Sequence, residues 1–544
     1  MRVVRLRIVM NLLDFLFWRQ RPVSYRRAIA RARNRDVVRD DQFDVYRRAA
    51  AAIGGESAID FGLLSDGTPV SLANEAALST ALAIGATGSG KTRLIVNLLL
   101  TCMRRMLHLD RRAPTLDLDL ELIDPKFETF DLLAQYIAAL WLVADETTRE
   151  RIASSVRVID WSPEAVTPFA PFDNPIGEVS NAYVAYLRTD VSVQAGAQPY
   201  TDPQRQAAFM FNRLLVARRF PPNYRFAVRF FEEEMYRRAI LTEVADPDVR
   251  AFFGDSGQSF PRQTREALLR RIQADMSFPE VRLSIGIPPA DIERLIPRRA
   301  TPIILGNYSS SMALPMMKAK ERASYRLIDV LLDAPRRDPR RRALLVIEES
   351  PMLLSSQNEL TQTLMEASRT LRSRGVGVLF AGQDFANALP SHMVRALTLN
   401  SSWWAIFQSR EEAEWLYPHA VLSAADRQRP EGERHRAFLR TIQSLERRNY
   451  YLLVKGQPAL PVRAPEVVDP SEFAQETAEM LRDVFRREIA SRSLLSASTA
   501  ADLIAKWEAE VVDSNPPTPA RPRAVPSSRK TLADFIRRLD GDDE

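Results

Sequence analysis

Residues Gly85-Ala86-Thr87-Gly88-Ser89-Gly90-Lys91-Thr92 constrain this chain more than any other stretch. They fit the eight-residue pattern G-x-x-x-x-G-K-[ST] throughout. The apolar run Ala81-Leu82-Ala83-Ile84 precedes them, and the helical pattern Leu94-Ile95-Val96-Asn97-Leu98-Leu99-Leu100 follows. Glycines let a backbone wrap a phosphate, so that successive N–H groups and a helix N-terminus face the anion. In that arrangement Gly85, Ala86, Thr87, Gly88, Ser89 and Gly90 form the cradle. Lys91 reaches the β- and γ-phosphates, and the Thr92 hydroxyl ligates Mg²⁺. Strand, loop and helix in this order predict an α/β fold that binds a nucleoside triphosphate, with ATP and Mg²⁺ as cofactors.

The pattern after the loop extends that fold. Strands are expected at 118–123, 156–160, 301–305, 343–347, 376–381 and 403–407, alternating with helical segments. Such alternation gives a mainly parallel sheet with ligands at the C-terminal strand ends. A hairpin is expected over 59–70 around Ser65-Asp66-Gly67, and a second strand pair at 450–454 and 460–463. Between 176 and 299 the strands vanish. Helical runs such as 204–220 and 226–244 dominate, which predicts an all-α insertion. A Pro-rich loop is expected at 162–175, and 466–510 reads as helical. Residues 514–528 are rich in Pro, Ser and Arg and read as disordered, and 531–539 as a short amphipathic helix on a tether.

Six segments of chain follow in outline. They are a basic helical segment (1–50), a first motor part with the phosphate loop (51–175), the all-α insertion (176–299), a second motor part (300–465), C-terminal helices (466–512) and a tail (513–544).

Composition adds little but excludes some chemistry. The net charge of +6 permits a nucleic-acid partner without requiring one. Only seven of the 75 basic residues are lysines, so scattered arginines reflect a compositional skew as much as phosphate contacts. Cys102 is the one cysteine, which rules out an intrachain disulfide and a cysteine-based metal site, and a reducing cytoplasm is the natural compartment. Residues 3–18 are largely apolar, but Arg5, Arg7, Asn11 and Asp14 interrupt them. A spanning helix needs about 20 nearly uninterrupted apolar residues. With thirteen arginines against five aspartates, residues 1–50 suit an interfacial helix on an anionic membrane, or a helix docked on a neighbouring domain or subunit.

Two further stretches carry chemistry. Ala343-Leu344-Leu345-Val346-Ile347-Glu348-Glu349 is a buried-type strand ending in two carboxylates. In phosphate-loop motors the first carboxylate holds Mg²⁺ and the second activates the attacking water. Glu348 therefore takes the metal position, where aspartate is usual, and Glu349 the water-activating position. The strand Val376 to Ala381 leads into Gly382-Gln383, and a terminal amide can donate to a γ-phosphate while accepting from a water. Arg369, Arg372 and Arg374 lie just before that strand, and each is a candidate finger into a neighbour's nucleotide site.

Taken together, the phosphate loop, Ile123-Asp124-Pro125-Lys126, Ile347-Glu348-Glu349 and Gly382-Gln383-Asp384 resemble the FtsK–HerA superfamily of hexameric translocases. Within it the series is most similar to the type IV coupling proteins of conjugation, the TraG/TraD-like group. Asp124-Pro125-Lys126-Phe127-Glu128 resembles their Asp-Pro-Lys-Gly-Glu motif, with Phe127 where glycine is common. Phe169-Ala170-Pro171-Phe172-Asp173 is similar to their Asn-Pro-Leu-Asp loop but lacks its Asn. Glu411-Glu412-Ala413-Glu414 also fits. The resemblance spans roughly residues 56–465. It implies a RecA-like motor in a ring of six, with Asp124 and Lys126 at the nucleotide, Arg372 at the finger position and Gln383 as sensor. It also implies DNA as cargo, gripped by its backbone without sequence specificity, or DNA joined to a relaxase-type protein. The receiving partner would be a secretion channel or membrane adaptor, and the place the cytoplasm or the inner face of its membrane. Two alternatives stay open: a soluble motor of genome processing or defence, and a weakly hydrolysing substrate-receptor platform.

Overall fold

A computed structural model describes residues 40–54, 58–109, 114–159, 165–167, 201–218, 224–254, 260–276, 279, 282–283, 287, 303–307, 342–354, 375–409, 412–420, 427–465, 467 and 475–513. The expected tail helix at 531–539, the disordered stretch at 514–528 and the apolar N-terminus lie outside these residues.

The chain is a mixed α/β protein built on one large sheet. In chain order the strands are β1 (Ala58–Leu63), β2 (Pro69–Ala73), β3 (Ala81–Ile84), β4 (Leu118–Asp124), β5 (Val156–Ile159), β6 (Ala165–Val166) and β7 (Ile303–Asn307). They continue with β8 (Arg342–Ile347), β9 (Val376–Gly382), β10 (Trp403–Ile406), β11 (Asn449–Val454), β12 (Leu460–Arg463) and β13 (Leu495–Ser496). Eleven of them form a sheet in the order β2-β1-β12-β11-β10-β3-β9-β8-β4-β7-β5. From β10 to β5 every neighbouring pair is parallel. From β10 outward to β2 every pair is antiparallel.

Burial explains the composition of the central strands. All of β3, β4 and β9 is buried, because helices cover both faces of a parallel sheet. One face receives the helices Lys91–Met106 and Glu128–Val143, together with Leu481, Val484, Phe485 and Ile489 from further on in the chain. The opposite face receives Phe385, Leu389, Met393, Leu416, Phe438 and Ile442. The helix Asp40–Ile53 runs past residue 50 and places Tyr46, Ala49, Ala50 and Ile53 in the first of these cores.

Between 201 and 276 the described residues form helices at Asp202–Arg218, Tyr224–Glu232, Glu234–Thr242, Pro247–Phe253 and Arg262–Met276. They share a core of their own, dense in phenylalanine: Phe211, Phe226, Phe230, Phe231, Phe252 and Phe253. The single helical run expected over 226–244 is broken at Glu233, whose backbone is extended (φ −92°, ψ 105°). Arg237 compensates for the break. Its buried guanidinium donates to the carbonyls of Phe230 and Phe231, at 3.1 and 3.3 Å, which end the preceding helix.

The C-terminal region departs from the helical reading of 466–510. A strand, β13, interrupts it and pairs antiparallel with β6, inside the stretch expected as a Pro-rich loop. The two flanks also join different cores. Helix Gln475–Val484 lies on the sheet side, where Arg482 forms a two-pronged ion pair with Asp131 at 2.7 Å. Leu495, Ala500, Ile504 and Val512 pack with the phenylalanine-rich helices instead. There the Val512 carbonyl accepts from Arg229 (2.6 Å) and from the Tyr236 hydroxyl (3.1 Å). Periodicity alone could not separate these flanks, because each has an apolar helical stripe and only the tertiary fold assigns its partner.

Candidate nucleotide site

The phosphate loop follows β3, and three of its glycines have left-handed or otherwise positive φ: Gly85 (155°), Gly88 (75°) and Gly90 (114°). At Gly90 a side chain is excluded twice over. Its φ is unfavourable, and an added Cβ would lie 2.9 Å from the Cα of Arg448. Gly88 has open space around it. Ala86, Thr87 and Gly88 are exposed, whereas Ser89 is buried. The loop is thus a shallow, glycine-built cradle open to solvent at its tip, at the start of the helix Lys91–Met106. These residues suit a polyphosphate.

Neighbouring strands hold the loop by its backbone. Gly85 N–H donates to Gly382 at the end of β9 (3.2 Å), and Ala86 N–H to Gln408 after β10 (2.9 Å). The Ser89 carbonyl accepts from the N–H of Arg448, just before β11 (2.7 Å). Lys91 curls back over the loop, donating to the carbonyls of Gly85 (2.6 Å) and Ala86 (3.1 Å). Burial lowers the pKa of its ammonium, while Glu349 and Glu348 act against that shift. Thr92 is half-buried in the first turn of the helix.

One strand, β9, separates the loop's own strand from β8, which carries the two acids. The Gln383 side chain, just beyond β9, reaches the loop: the Thr87 hydroxyl donates to its Oε1 at 3.2 Å. Glu348 and Glu349 follow β8. Glu348 is 7% exposed and accepts a short hydrogen bond from the buried Thr129 hydroxyl. Burial, and then the nearby Asp124, push its pKa up to about 8, against the pull of Thr129 and Lys91. Glu349 has a left-handed backbone (φ 48°) and faces Lys126, whose Nζ is 2.6 Å from its Oε1.

The turn from β4 into the helix Glu128–Val143 supplies the partners of both acids. Asp124 is wholly buried, and its carboxyl oxygens accept from the N–H groups of Lys126 (3.0 Å), Phe127 (3.0 Å) and Phe130 (2.8 Å). It anchors this turn. Phe127 sits at the apex with φ 69°, a left-handed value that glycine adopts without strain, and its ring stacks on Phe130 at 5.1 Å. Lys126 therefore meets Glu349, and Thr129, one turn on, meets Glu348.

Loop, acids, Lys126, Asp124 and Gln383 thus converge at the C-terminal ends of β3, β8, β4 and β9. Arg369, Arg372 and Arg374 lie outside the described residues. Two residues at the site escape a sequence reading: Thr129, inside an apolar helix, and Arg448, whose N–H meets the loop. Among the described residues no group of three or more His, Cys, Asp or Glu side chains is placed to hold a metal. Of the two residues expected at Mg²⁺, Thr92 is half-buried and Glu348 is buried, and each offers oxygen of the kind that Mg²⁺ takes. No described helix is long and apolar enough to cross a membrane.

No protein-family model matches the chain, and no curated protein matches it. Among solved structures, the chain is similar to the bacterial conjugative coupling protein TrwB lacking its first 70 residues. That match has 15% identity over 78% of this chain and 92% of the other, with a TM-score of 0.43. A TrwB complex with a non-hydrolysable ATP analogue gives 14% identity over 78% and 93%, with a TM-score of 0.45. VirB4 of Thermoanaerobacter pseudethanolicus gives 15% identity over 76% and 98%, with a TM-score of 0.44. These similarities assign no role to any residue here.

Proposed function

We propose that this chain is an ATP-driven DNA translocase of the coupling-protein type, passing DNA or a protein–DNA conjugate to a type IV secretion machinery. The observation that carries the reading is the meeting of Lys91, the Glu348-Glu349 pair and Gln383 on three parallel strands, with Thr87 hydrogen-bonded to Gln383. That contact gives a sensor amide a direct connection to the phosphate loop. The coupling-protein assignment rests on the resemblance of the Asp124-Pro125-Lys126 turn and its companion motifs. In this reading residues 51–175 and 300–465 form a RecA-like motor and 176–299 an all-α insertion.

Lys91 leaves its own loop carbonyls to bind the β- and γ-phosphates. Thr92 and Glu348 would hold Mg²⁺, which would neutralise phosphate charge. Glu349 orients and deprotonates the attacking water, and Gln383 reports the γ-phosphate to the segment that moves. Arg372 reaches a neighbour's nucleotide in a ring of six. The motor works in the cytoplasm, at the inner membrane face where residues 1–50 find an adaptor or an anionic surface.

ATPase rate measured with and without single- and double-stranded DNA tests this reading. DNA stimulation that falls steeply as salt rises supports a motor gripping the phosphate backbone. A slow rate indifferent to DNA supports the substrate-receptor platform, which the glutamate at position 348 favours. Membrane co-fractionation separates the coupling protein from a soluble genome-processing motor.

A further inference from the structure

Thr129 lies at the second position of the helix Glu128–Val143 and is 0% exposed. It stands between two buried carboxyl groups. Its main-chain N–H is directed to Asp124, and its hydroxyl donates to Glu348 Oε1. The backbone fixes the same junction, since the N–H of Glu348 donates to the Ile123 carbonyl at 2.9 Å. Asp124 is held on its other sides by Lys126, Phe127 and Phe130, so the turn that presents Thr129 is rigid.

We propose that Thr129 is a positioning residue that fixes the Glu348 side chain for metal binding. The inference rests on the nucleotide reading given above and adds a residue to it. Glutamate has one more rotatable bond than the aspartate usual at this place, and an unrestrained carboxyl would sample several rotamers. The Thr129 hydroxyl occupies one carboxyl oxygen and leaves the other for the metal. Threonine suits the role because its hydroxyl is set on a stiff, β-branched side chain. Groups that orient a metal ligand in this way are worth about 10–100-fold in metal affinity or activity.

The test compares Thr129→Val, which keeps the shape and loses the hydroxyl, with Thr129→Ser, which keeps the hydroxyl. Binding of a fluorescent ATP analogue is measured in the full chain, first in chelator and then through a Mg²⁺ titration, alongside thermal unfolding. Thr129→Val should raise the Mg²⁺ concentration for half-maximal effect about tenfold or more, with chelator binding unchanged, and Thr129→Ser should stay within about twofold of wild type. Wild-type Mg²⁺ dependence in folded Thr129→Val overturns the proposal. So does loss of nucleotide binding in chelator together with loss of stability, which marks a purely structural role. If Thr129→Val does not fold, Thr129→Ala makes the same comparison. Wild-type protein that binds no nucleotide in either condition overturns the nucleotide reading itself, before any variant is compared.

Discussion

The Lys126 ammonium sits 2.6 Å from the carboxyl of Glu349, across the gap between the β4 turn and the end of β8. Both side chains are partly solvated, so the pair contributes little to stability, about 0–1 kcal/mol. Its consequence is orientation. Glu349 leaves a left-handed backbone (φ 48°), and Lys126 fixes where its carboxyl points. A catalytic base oriented by a third group loses rate when that group is removed.

Lys126→Met should therefore lower kcat about tenfold, a part of the roughly 10²–10⁴-fold that a positioned base contributes. Nucleotide affinity should change little, since the ammonium is engaged with Glu349. Glu349→Gln should bind ATP and fail to hydrolyse it. Equilibrium binding and single-turnover hydrolysis separate the two effects. A Glu349→Gln protein that turns over like wild type would make Glu348 the candidate base.

Glu348 makes stability depend on pH. Its pKa is about 8 in the folded chain, above the 4.5 of an ordinary glutamate. Between those values the unfolded chain has released a proton that the folded chain retains, so unfolding releases a proton and stability falls as pH rises. Below pH 4.5 and above pH 8 this group contributes no slope. Glu348→Gln should be more stable than wild type near pH 8, and the advantage should shrink toward pH 4.5. Melting curves of both proteins over that window, without nucleotide, provide the check.

Asp124 satisfies the N–H groups of Lys126, Phe127 and Phe130 from a fully buried position. Asp124→Ala strands those donors and should cost about 2–4 kcal/mol, several times an ordinary hydrogen bond. Urea unfolding measures the loss. A cost below about 1 kcal/mol, the worth of one hydrogen bond, would mean that the turn is held by other contacts.

Gly90→Ala should be damaging although it adds one methyl group. Its φ is 114°, and the new Cβ would meet the Arg448 backbone at 2.9 Å. The loop must shift, so nucleotide binding should weaken by more than the roughly 1–3 kcal/mol expected for backbone strain alone. Gly88→Ala has the same kind of φ (75°) with open space around it, and should show the strain without the clash. Calorimetric nucleotide titration of both variants distinguishes them.

Mixing subunits tests the ring. Arg372→Ala protein keeps its own Lys91, and Lys91→Ala protein keeps Arg372, so each alone should be inactive. Mixed rings contain interfaces at which an intact Lys91 site meets an intact Arg372. Partial recovery of ATPase activity places Arg372 across the interface, where such a residue contributes about 10³–10⁵ in rate. No recovery from well-mixed rings counts against it.

Local sequence was enough for whatever depends on neighbours in the chain. The phosphate loop, the hairpin around Asp66-Gly67 and the strands of the large sheet from β3 to β12, β6 not being one of them, are legible because glycine placement and apolar runs act over a few residues. The two acids of β8 and the glutamine after β9 are legible for the same reason, since each ends a buried strand. Contacts over long sequence separations were decided elsewhere. Thr129 lies 219 residues from Glu348, and Thr87 lies 296 from Gln383, so only the strand order β3-β9-β8-β4 brings them together. The C-terminal helices show the same limit: their stripes fit either core, and the β6–β13 pairing settles which one residues 495–512 join. An apolar stripe specifies that a face must be covered, but its partner is chosen by the packing of the whole chain.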